Sequence, residues 1–260
     1  MAARAIWKAE IGLGKTKVPV KMYSAVTDRN VRFRLLDPET LQPVSQRMVN
    51  PDSGREVKTE AVERGFEVQP GLLVKLEEEE LEKLEPTPSR DIEIVAFVPD
   101  AEIDHRWYDR PYYLGPDGDQ EEYFALVEAL KKEGREGLCR WTMRGKRYVG
   151  ALRTEGDYLV LITLRHIEEV VDASAIPRPA GAAPTKAEAK MAEQLVAMLR
   201  SDFEPTKYRD EYRDRVMELI EAKSKGKVIP IKKARKKTSD ASLEELLAKS
   251  LKSSKKKGAA

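Results

Sequence analysis

The sequence predicts a mainly β protein with added helices: a barrel or two-layer β core, followed by a helical C-terminal region. Three observations carry this prediction. At least seven segments in the first 165 residues have strand character, most of them alternating apolar and polar residues. The last three of these follow one another across short Gly-containing turns, as in a meander. Beyond a Pro- and Ala-rich stretch at 176–185, the apolar period changes from two residues to three or four.

In chain order, KVPVKMYSA (17–25) reads as a strand, with Val18, Val20 and Met22 alternating against Lys17 and Lys21. VRFRLL (31–36) reads the same way, with Val31, Phe33 and Leu35 on one face and Arg32 and Arg34 on the other. Residues 37–72 are polar, and NPDSG (50–54) is a strong turn, so this region is expected to be a hairpin or an extended arm. LLVKL (72–76) is a further strand. EEEELEKLEP (77–86) is a short surface helix stopped by Pro86, and DIEIVAFV (91–98) is apolar enough for a buried strand. Residues 120–133 form an amphipathic helix striped by Tyr123, Leu126, Val127 and Leu130. The meander follows, as GLCRWTMR (137–144), RYVGALR (147–153) and YLVLITLR (158–165). IPRPAGAAPT (176–185) has the composition of a linker. Thr185 and Glu188 then form a capping box ahead of the stripe Met191, Leu195, Met198, Leu199. A second helix after Pro205 carries Tyr208, Tyr212, Val216, Leu219 and Ile220 on one side. The expected division is a core at 1–175 with its arm at about 37–72, a linker and helical region at 176–222, and a lysine-rich flexible tail at 223–260.

Composition excludes several classes. No apolar run is long enough to span a membrane, and MAARAIWKAEIG has no signal-peptide core, so a cytoplasmic location is expected. Cys139 is the one cysteine, so no internal disulfide forms, and with 2 His it cannot fill a tetrahedral zinc site without carboxylates. Inside an apolar strand it reads as a small buried hydrophobe. The net charge of +2 conceals an asymmetry: residues 223–260 hold 13 Lys/Arg against 3 Asp/Glu, leaving 34 against 42 in the rest. An acidic body with a basic tail points to a polyanionic partner.

AEIGLGKT (9–16) nearly spells a phosphate loop, but Lys17-Val18-Pro19-Val20 continues as a strand where a helix is required, so it reads as a strand-entering turn. Asp100, Glu102, Asp104, His105 and Asp109 could serve a metal-dependent nuclease. No second carboxylate cluster converges on them, and a solvated acidic loop is the plainer reading. WYDRPYYLGPDGD (107–119) invites three readings: an active site, a base-stacking surface or a packed turn. Basic residues recur on strand faces: Lys15, Lys17 and Lys21; Arg32 and Arg34; Arg144, Lys146, Arg147 and Arg153. Such faces suit phosphate contacts, which bind without reading sequence.

Four segments together resemble the Ku family, in particular the short bacterial Ku proteins of end-joining repair: ARAIWKAEIGLGKTKVPVKMYSA (3–25), DRPYYLGPD (109–117), GLCRWTMRGKRYVGALR (137–153) and DEYRDRVMELIEAKSKGK (210–227). The resemblance spans residues 3–227. It implies a β-barrel core with an extended arm and a C-terminal helical region, assembling as a ring-shaped homodimer. Such a ring threads double-stranded DNA ends, bridges them and recruits the multifunctional end-joining DNA ligase, with no catalysis and no cofactor. Some bacterial members carry cysteines where this chain has NPDSG, so no structural metal is expected there. The arm implied by the resemblance, 40–72, adds Arg47, Arg55 and Lys58 to Arg32, Arg34, Arg144, Lys146 and Arg147 as phosphate-contact candidates. In the tail, Lys223, Lys225, Lys227, Lys232, Lys233, Arg235, Lys236 and Lys237 would add salt-sensitive contacts. Leu243, Leu246, Leu247 and Leu251 stripe a short helix (242–252) as a candidate for partner docking. A ring around intact duplex offers no unstacked bases, so WYDRPYYLGPDGD reads as scaffold. A metal-dependent nuclease and a general nucleoid-coating protein are the alternatives.

Overall fold

The structure is a computed structural model that describes residues 3–118, 120–178, 180–181 and 183–226. The helix expected at 242–252 and the tail from Lys227 onward lie outside the described residues. The chain divides into two compact units. The first runs to Arg29 and resumes over Phe33–Ala175; the second holds Asn30–Arg32 and the chain from Ile176 on.

The core of the first unit is a closed seven-stranded barrel. β1 (Trp7–Leu13) turns at Gly14-Lys15 into β2 (Thr16–Ser24), so the phosphate-loop lookalike is a hairpin turn. Alternation buries Ala9 and Ile11 from one strand and Val18, Val20 and Met22 from the other. Residues 25–90 then leave the barrel, carrying β3 (Arg64–Gln69), β4 (Leu72–Leu76) and α1 (Glu78–Leu84). The chain returns as β5 (Asp91–Pro99), which runs parallel to β1. After β6 (Tyr108–Pro116) comes α2 (Glu121–Glu133). The meander β7 (Arg135–Met143), β8 (Lys146–Glu155) and β9 (Tyr158–Leu164) completes the barrel in the order β1-β2-β6-β9-β8-β7-β5.

The predicted stripe of α2 is the stripe it buries: Tyr123, Leu126, Val127 and Leu130 join the barrel's interior cluster. The Tyr123 hydroxyl donates to the Leu114 carbonyl at 2.5 Å and accepts from the Leu159 amide at 2.9 Å. One side chain thereby ties α2 to both β6 and β9. Gly150 is required where β8 passes the interior: a Cβ there would stand 2.6 Å from the Ile162 carbonyl and 2.7 Å from the Trp141 ring. Cys139 is fully buried, as its setting in an apolar strand predicts.

Two strand readings need correction. Residues 31–36 form no strand; Leu36 makes an isolated bridge to Pro43, and Phe33 and Leu35 are 69% and 64% exposed. Arg32 and Arg34 therefore do not share a strand face. Their alternation is real, but the described chain supplies no partner strand there. The run at 91–98 is a strand, yet only Ile92 is buried, and Val95 and Phe97 face outward beyond a register shift between Ile94 and Ala96.

In the second unit, α3 (Lys186–Met198) begins at the predicted capping box, where the Thr185 hydroxyl accepts from the Glu188 amide at 3.3 Å. A 3₁₀ turn at Pro205–Lys207 precedes α4 (Glu211–Ser224), so Tyr208 lies before the helix rather than on it. No helix of the described residues is long and apolar enough to cross a membrane.

Tyr112 of the aromatic stretch is 7% exposed and belongs to the core. Tyr112→Ala should lower unfolding free energy by about 3 kcal/mol, the cost of an aromatic-sized cavity. Gly150→Ala should cost about 2 kcal/mol through overpacking. Denaturant titration checks both; a normal midpoint for Gly150→Ala would mean that the close approach of Trp141 relaxes at no cost.

Candidate nucleic-acid interface

Ion pairing sorts the basic residues that the sequence singled out. On β2, Lys17 is held by Glu10 and Asp91, each at 2.9 Å. These bonds raise the Lys17 pKa and hold Asp91 below the usual carboxylate range. Lys21 and Lys8 share Asp117, at 2.6 and 2.9 Å. Lys17 and Lys21 are therefore structural staples between strands. In the arm, Arg47 is paired with Glu56 at 2.9 Å across the 49–56 hairpin. Arg55 and Lys58 are exposed beside it and make no ion pair among the described residues. Arg34 is exposed in the arm's first stretch, and Arg32 is grouped with the second unit. Lys223 lies in the last turn of α4, and Lys225 just beyond it pairs with Glu221. Lys227, Lys232, Lys233, Arg235, Lys236 and Lys237 lie outside the described residues, as do Leu243, Leu246, Leu247 and Leu251.

The β7–β8 hairpin gathers the unpaired cations. Its turn places Arg144 at φ +53° and Gly145 at φ +71°, the twist that joins two antiparallel strands tightly. Arg144, Lys146 and Arg147 surround this tip and make no ion pair among the described residues. Arg140 stands further down the outer face of β7 in the same condition. It alternates with the buried Cys139 and Trp141, so strand period alone could have identified it. The tip overhangs an open concavity of about 760 Å³ lined by Gly12, Gly14, Lys17, Arg140 and Arg147 among others. A second hollow of about 310 Å³ adds Arg90 and Arg144. The glycines expose β1 backbone at its rim. This surface offers mobile guanidinium and ammonium groups on a rigid barrel wall, with no helix placed to enter a groove. Such groups can contact phosphates but cannot read bases.

Asp104, one of the five residues considered for metal chemistry, accepts from the Arg106 Nε at 2.7 Å and from the Arg106 amide at 2.9 Å, which holds its carboxyl below the ordinary range. No group of three potential ligands that could hold a metal occurs among the described residues. The Cys139 thiol is pushed up to about 12 by burial.

The WYDRPYYLGPDGD stretch contains a feature that sequence reading missed. Glu136 at the start of β7 is 1% exposed. Its Oε2 accepts from the Tyr108 hydroxyl at 2.7 Å, and its Oε1 lies 3.4 Å from the Arg153 guanidinium without a hydrogen bond. Burial, then the bond to Glu136, pushes the Tyr108 phenol up to about 12. Arg153 stands opposite Glu136 in the β7–β8 hairpin, so that half of the contact follows from the hairpin register, whereas Tyr108, 28 positions from Glu136, is brought to it only by the barrel. Arg153, counted with the basic hairpin, is thus committed to a buried carboxylate.

Residues 12–197 match the family model described as the Ku70/Ku80 beta-barrel domain. The chain belongs to the Ku family. It is 37% identical over 254 residues to "Non-homologous end joining protein Ku 2" of Geotalea uraniireducens, covering 97% of this chain and 99% of that protein. It is 36% identical to the "Non-homologous end joining protein Ku" of Coxiella burnetii, over 90% of this chain and 87% of that one. The protein of that name from Archaeoglobus fulgidus is 33% identical over 88% of this chain and 91% of its own length. The Ku barrel match ends at residue 197, close to the end of α3, whereas the Geotalea alignment runs through most of the remaining chain.

Two outcomes check this geometry. Arg153→Met should destabilise the protein by about 1–3 kcal/mol, because the Glu136 carboxylate loses its cation while staying buried; an unchanged denaturation midpoint would show that Tyr108 alone satisfies it. Cys139 should fail to react with a thiol reagent at pH 8 in the folded protein. Its thiol stays protonated there and inaccessible, whereas the unfolded chain, with a thiol pKa of about 8.5, should react promptly.

Proposed function

We propose that two copies of this chain form a ring that binds double-stranded DNA ends without regard to sequence and without catalysis, as a non-homologous end joining protein. The observation that carries this reading is the arm. Residues 25–90 leave the barrel as three successive hairpins, closed at Leu36–Pro43, at Val49–Glu56 and by β3 with β4. Phe33, Leu35, Leu41, Phe66 and Leu73 along it are all more than 60% exposed. A chain does not hold so many large apolar groups in water unless something covers them. A second copy offers the same surface in return, as a two-fold interface requires. Each large side chain so covered contributes about 1.5–3 kcal/mol to the dimer.

An arm braced against its counterpart encloses a space bounded by barrel walls, and the β7–β8 hairpin supports a phosphate-contacting role for one of them. Arg140, Arg144, Lys146 and Arg147 are the strongest phosphate candidates, joined by Arg34, Arg55 and Lys58 of the arm. Arg47 is held by Glu56 and contributes less. Threading through a closed ring selects ends topologically, since a covalently closed circle offers no entry. The relatives' printed role in end joining supports this assignment. Bridging of two ends and recruitment of a ligase complete the proposed role, with the tail beyond Lys223 as a further salt-sensitive contact. A nucleoid-coating protein would instead bind circles as well as it binds linear DNA.

The decisive measurement compares a linear duplex with the same sequence as a covalently closed circle, at fixed moderate salt. The linear form should bind and the circle should not; equal affinity would overturn the ring. On linear DNA, log K should fall with log salt at about −0.9 per phosphate contact. Arg144→Ala and Arg147→Ala should each flatten that slope by about 0.9. Sedimentation should give a dimer at micromolar protein, and Phe66→Asp with Leu73→Asp should shift it to monomer.

A further inference from the structure

One carboxylate stands where the β7–β8 hairpin would meet a phosphate. Glu85 lies just beyond α1, where the arm turns back toward the barrel. A Cβ added at Gly145, in the turn between β7 and β8, would stand 2.6 Å from the Glu85 Oε2 and 2.9 Å from its carboxyl carbon. The carboxylate therefore lies directly over the hairpin tip. It also shares an open hollow of about 460 Å³ with Arg147, lined besides by Leu84, Pro86 and Thr87. Despite these neighbours, the Glu85 carboxylate makes no ion pair and no hydrogen bond among the described residues.

The backbone, and not a charge contact, holds Glu85 in this place. Its amide donates to the Glu82 carbonyl at 3.2 Å and closes α1. Its own backbone is extended, at φ −65° and ψ +139°, as a residue before proline prefers. Pro86 and Pro88 then fix two of the next three φ angles, which stiffens the strap that leads to β5. Further along, Pro88, Ser89 and Arg90 line the second hollow with Arg144 and Gly145. The return of the arm thus runs beside the tip from Glu85 to Arg90, and Glu85 is the one acid in that run. Elsewhere on the barrel an acid near a lysine closes a pair, as Asp91 does with Lys17. An unbonded carboxylate acts through its field instead. A phosphate arriving at the tip meets a like charge well inside the screening length of about 8 Å at physiological salt.

We propose that Glu85 competes with DNA phosphate for the β7–β8 tip and so weakens the contacts of Arg144, Lys146 and Arg147. This rests on the reading of that hairpin as a phosphate-contacting element. Its consequence is selectivity. Adhesion to the side of a closed duplex depends on such contacts alone, whereas a threaded ring is also kept on DNA by its closure. A carboxylate on the tip therefore disfavours DNA that offers no end.

The test compares the full-length wild type with Glu85→Gln, which removes the charge and keeps the shape. Affinity is measured for a linear duplex and for the same sequence as a covalently closed circle, across salt. Glu85→Gln should bind the linear form about threefold tighter at about 50 mM salt, and the circle should gain at least as much. By about 300 mM salt the gain should fade, as screening shortens the reach of the charge. The melting temperature should not fall, since no ion pair is lost. In an Arg144→Ala/Lys146→Ala/Arg147→Ala background the gain should vanish, because its targets are gone. Glu79→Gln removes an equal charge six residues earlier in the sequence and should leave affinity unchanged. Unchanged affinity in Glu85→Gln, an equal gain from Glu79→Gln, or a gain that survives without the three cations would each overturn the proposal. A gain confined to the linear form would overturn the selectivity. If the triple variant binds as wild type does, with the same salt slope, the hairpin reading fails and this proposal with it. If the triple variant is weak and Glu85→Gln is silent, only this proposal fails. Equal binding of circle and linear DNA by wild type would overturn the ring and leave the Glu85 readout intact.

Discussion

The parallel pairing of β5 with β1 is the constraint on which the rest of the structure depends. Every other neighbour in the barrel is antiparallel, and the three consecutive pairs, β1–β2, β7–β8 and β8–β9, are joined by short turns. β2 runs back along β1 and ends opposite Trp7, near the start of β1. β5 runs with β1 and begins opposite Glu10. The exit of β2 and the entry of β5 therefore lie toward the same end of the barrel. β2 and β5 flank β1 on opposite sides, so the connection must cross the end of β1 and cannot be a tight hairpin turn. Here it is residues 25–90, and its two ends lie on one side of the barrel. The arm can thus project without threading the core, and the barrel can close behind it. Lys17 reinforces that closure, since its ammonium reaches from β2 to Glu10 on β1 and to Asp91 at the first residue of β5.

This same economy explains the charge distribution. Acids are plentiful in the body, and most lysines that point along strands find one. The pairs Lys17–Asp91, Lys21–Asp117 and Lys75–Glu63 each join residues far apart in sequence or on different strands. Exposed pairs of this kind contribute little stability individually. Pairing in this way leaves other cations uncommitted, among them those of the β7–β8 hairpin. Arg140, Arg144, Lys146 and Arg147 remain together on one hairpin without an ion pair among the described residues; Asp91 on the neighbouring strand is bound to Lys17, and the Glu85 carboxylate lies against Gly145 at the tip without pairing to any of them. A polyanion meeting this wall finds positive charge where pairing has not neutralised it.

The sequence made much of this legible, and the reasons differ by element. The α2 stripe, the meander and the Thr185 capping box were readable because each rests on contacts within a few residues or on a strict period. Cys139 could be placed because burial follows from its apolar strand. The Tyr108–Glu136 contact was not readable, since β6 and β7 meet only in the closed barrel, whereas the Glu136–Arg153 pairing lay in the register of the β7–β8 hairpin. Arg140 was readable in principle but hidden by attention to the hairpin tip. Basic residues as a class misled: Lys17 and Lys21 look like a phosphate-binding face, and only the folded register reveals their carboxylate partners. Strand periodicity tells which way a side chain points, not whether its charge is spent.

The reading of VRFRLL as a strand fails in an instructive way. Val31, Phe33 and Leu35 alternate with arginines as a half-buried strand should, but the segment joins no named strand, and its end is tied only to the 43–44 segment through the Leu35 carbonyl and the Leu36 bridge. A period-two pattern encodes a face that must be covered, and it does not say by which molecule. In a self-sufficient domain the cover is another layer of the same chain. Here the first unit has already spent its strands on closing the barrel, and no described element covers Phe33 or Leu35. The pattern marks a face left uncovered among the described residues, the face that the proposed dimer would bury. Applied along the arm, that logic extends to Leu41, Phe66 and Leu73, whose apolar character has no use within one copy. A single chain thus displays a patterned apolar face along the arm that no described element covers, which is the observation behind the proposed dimer.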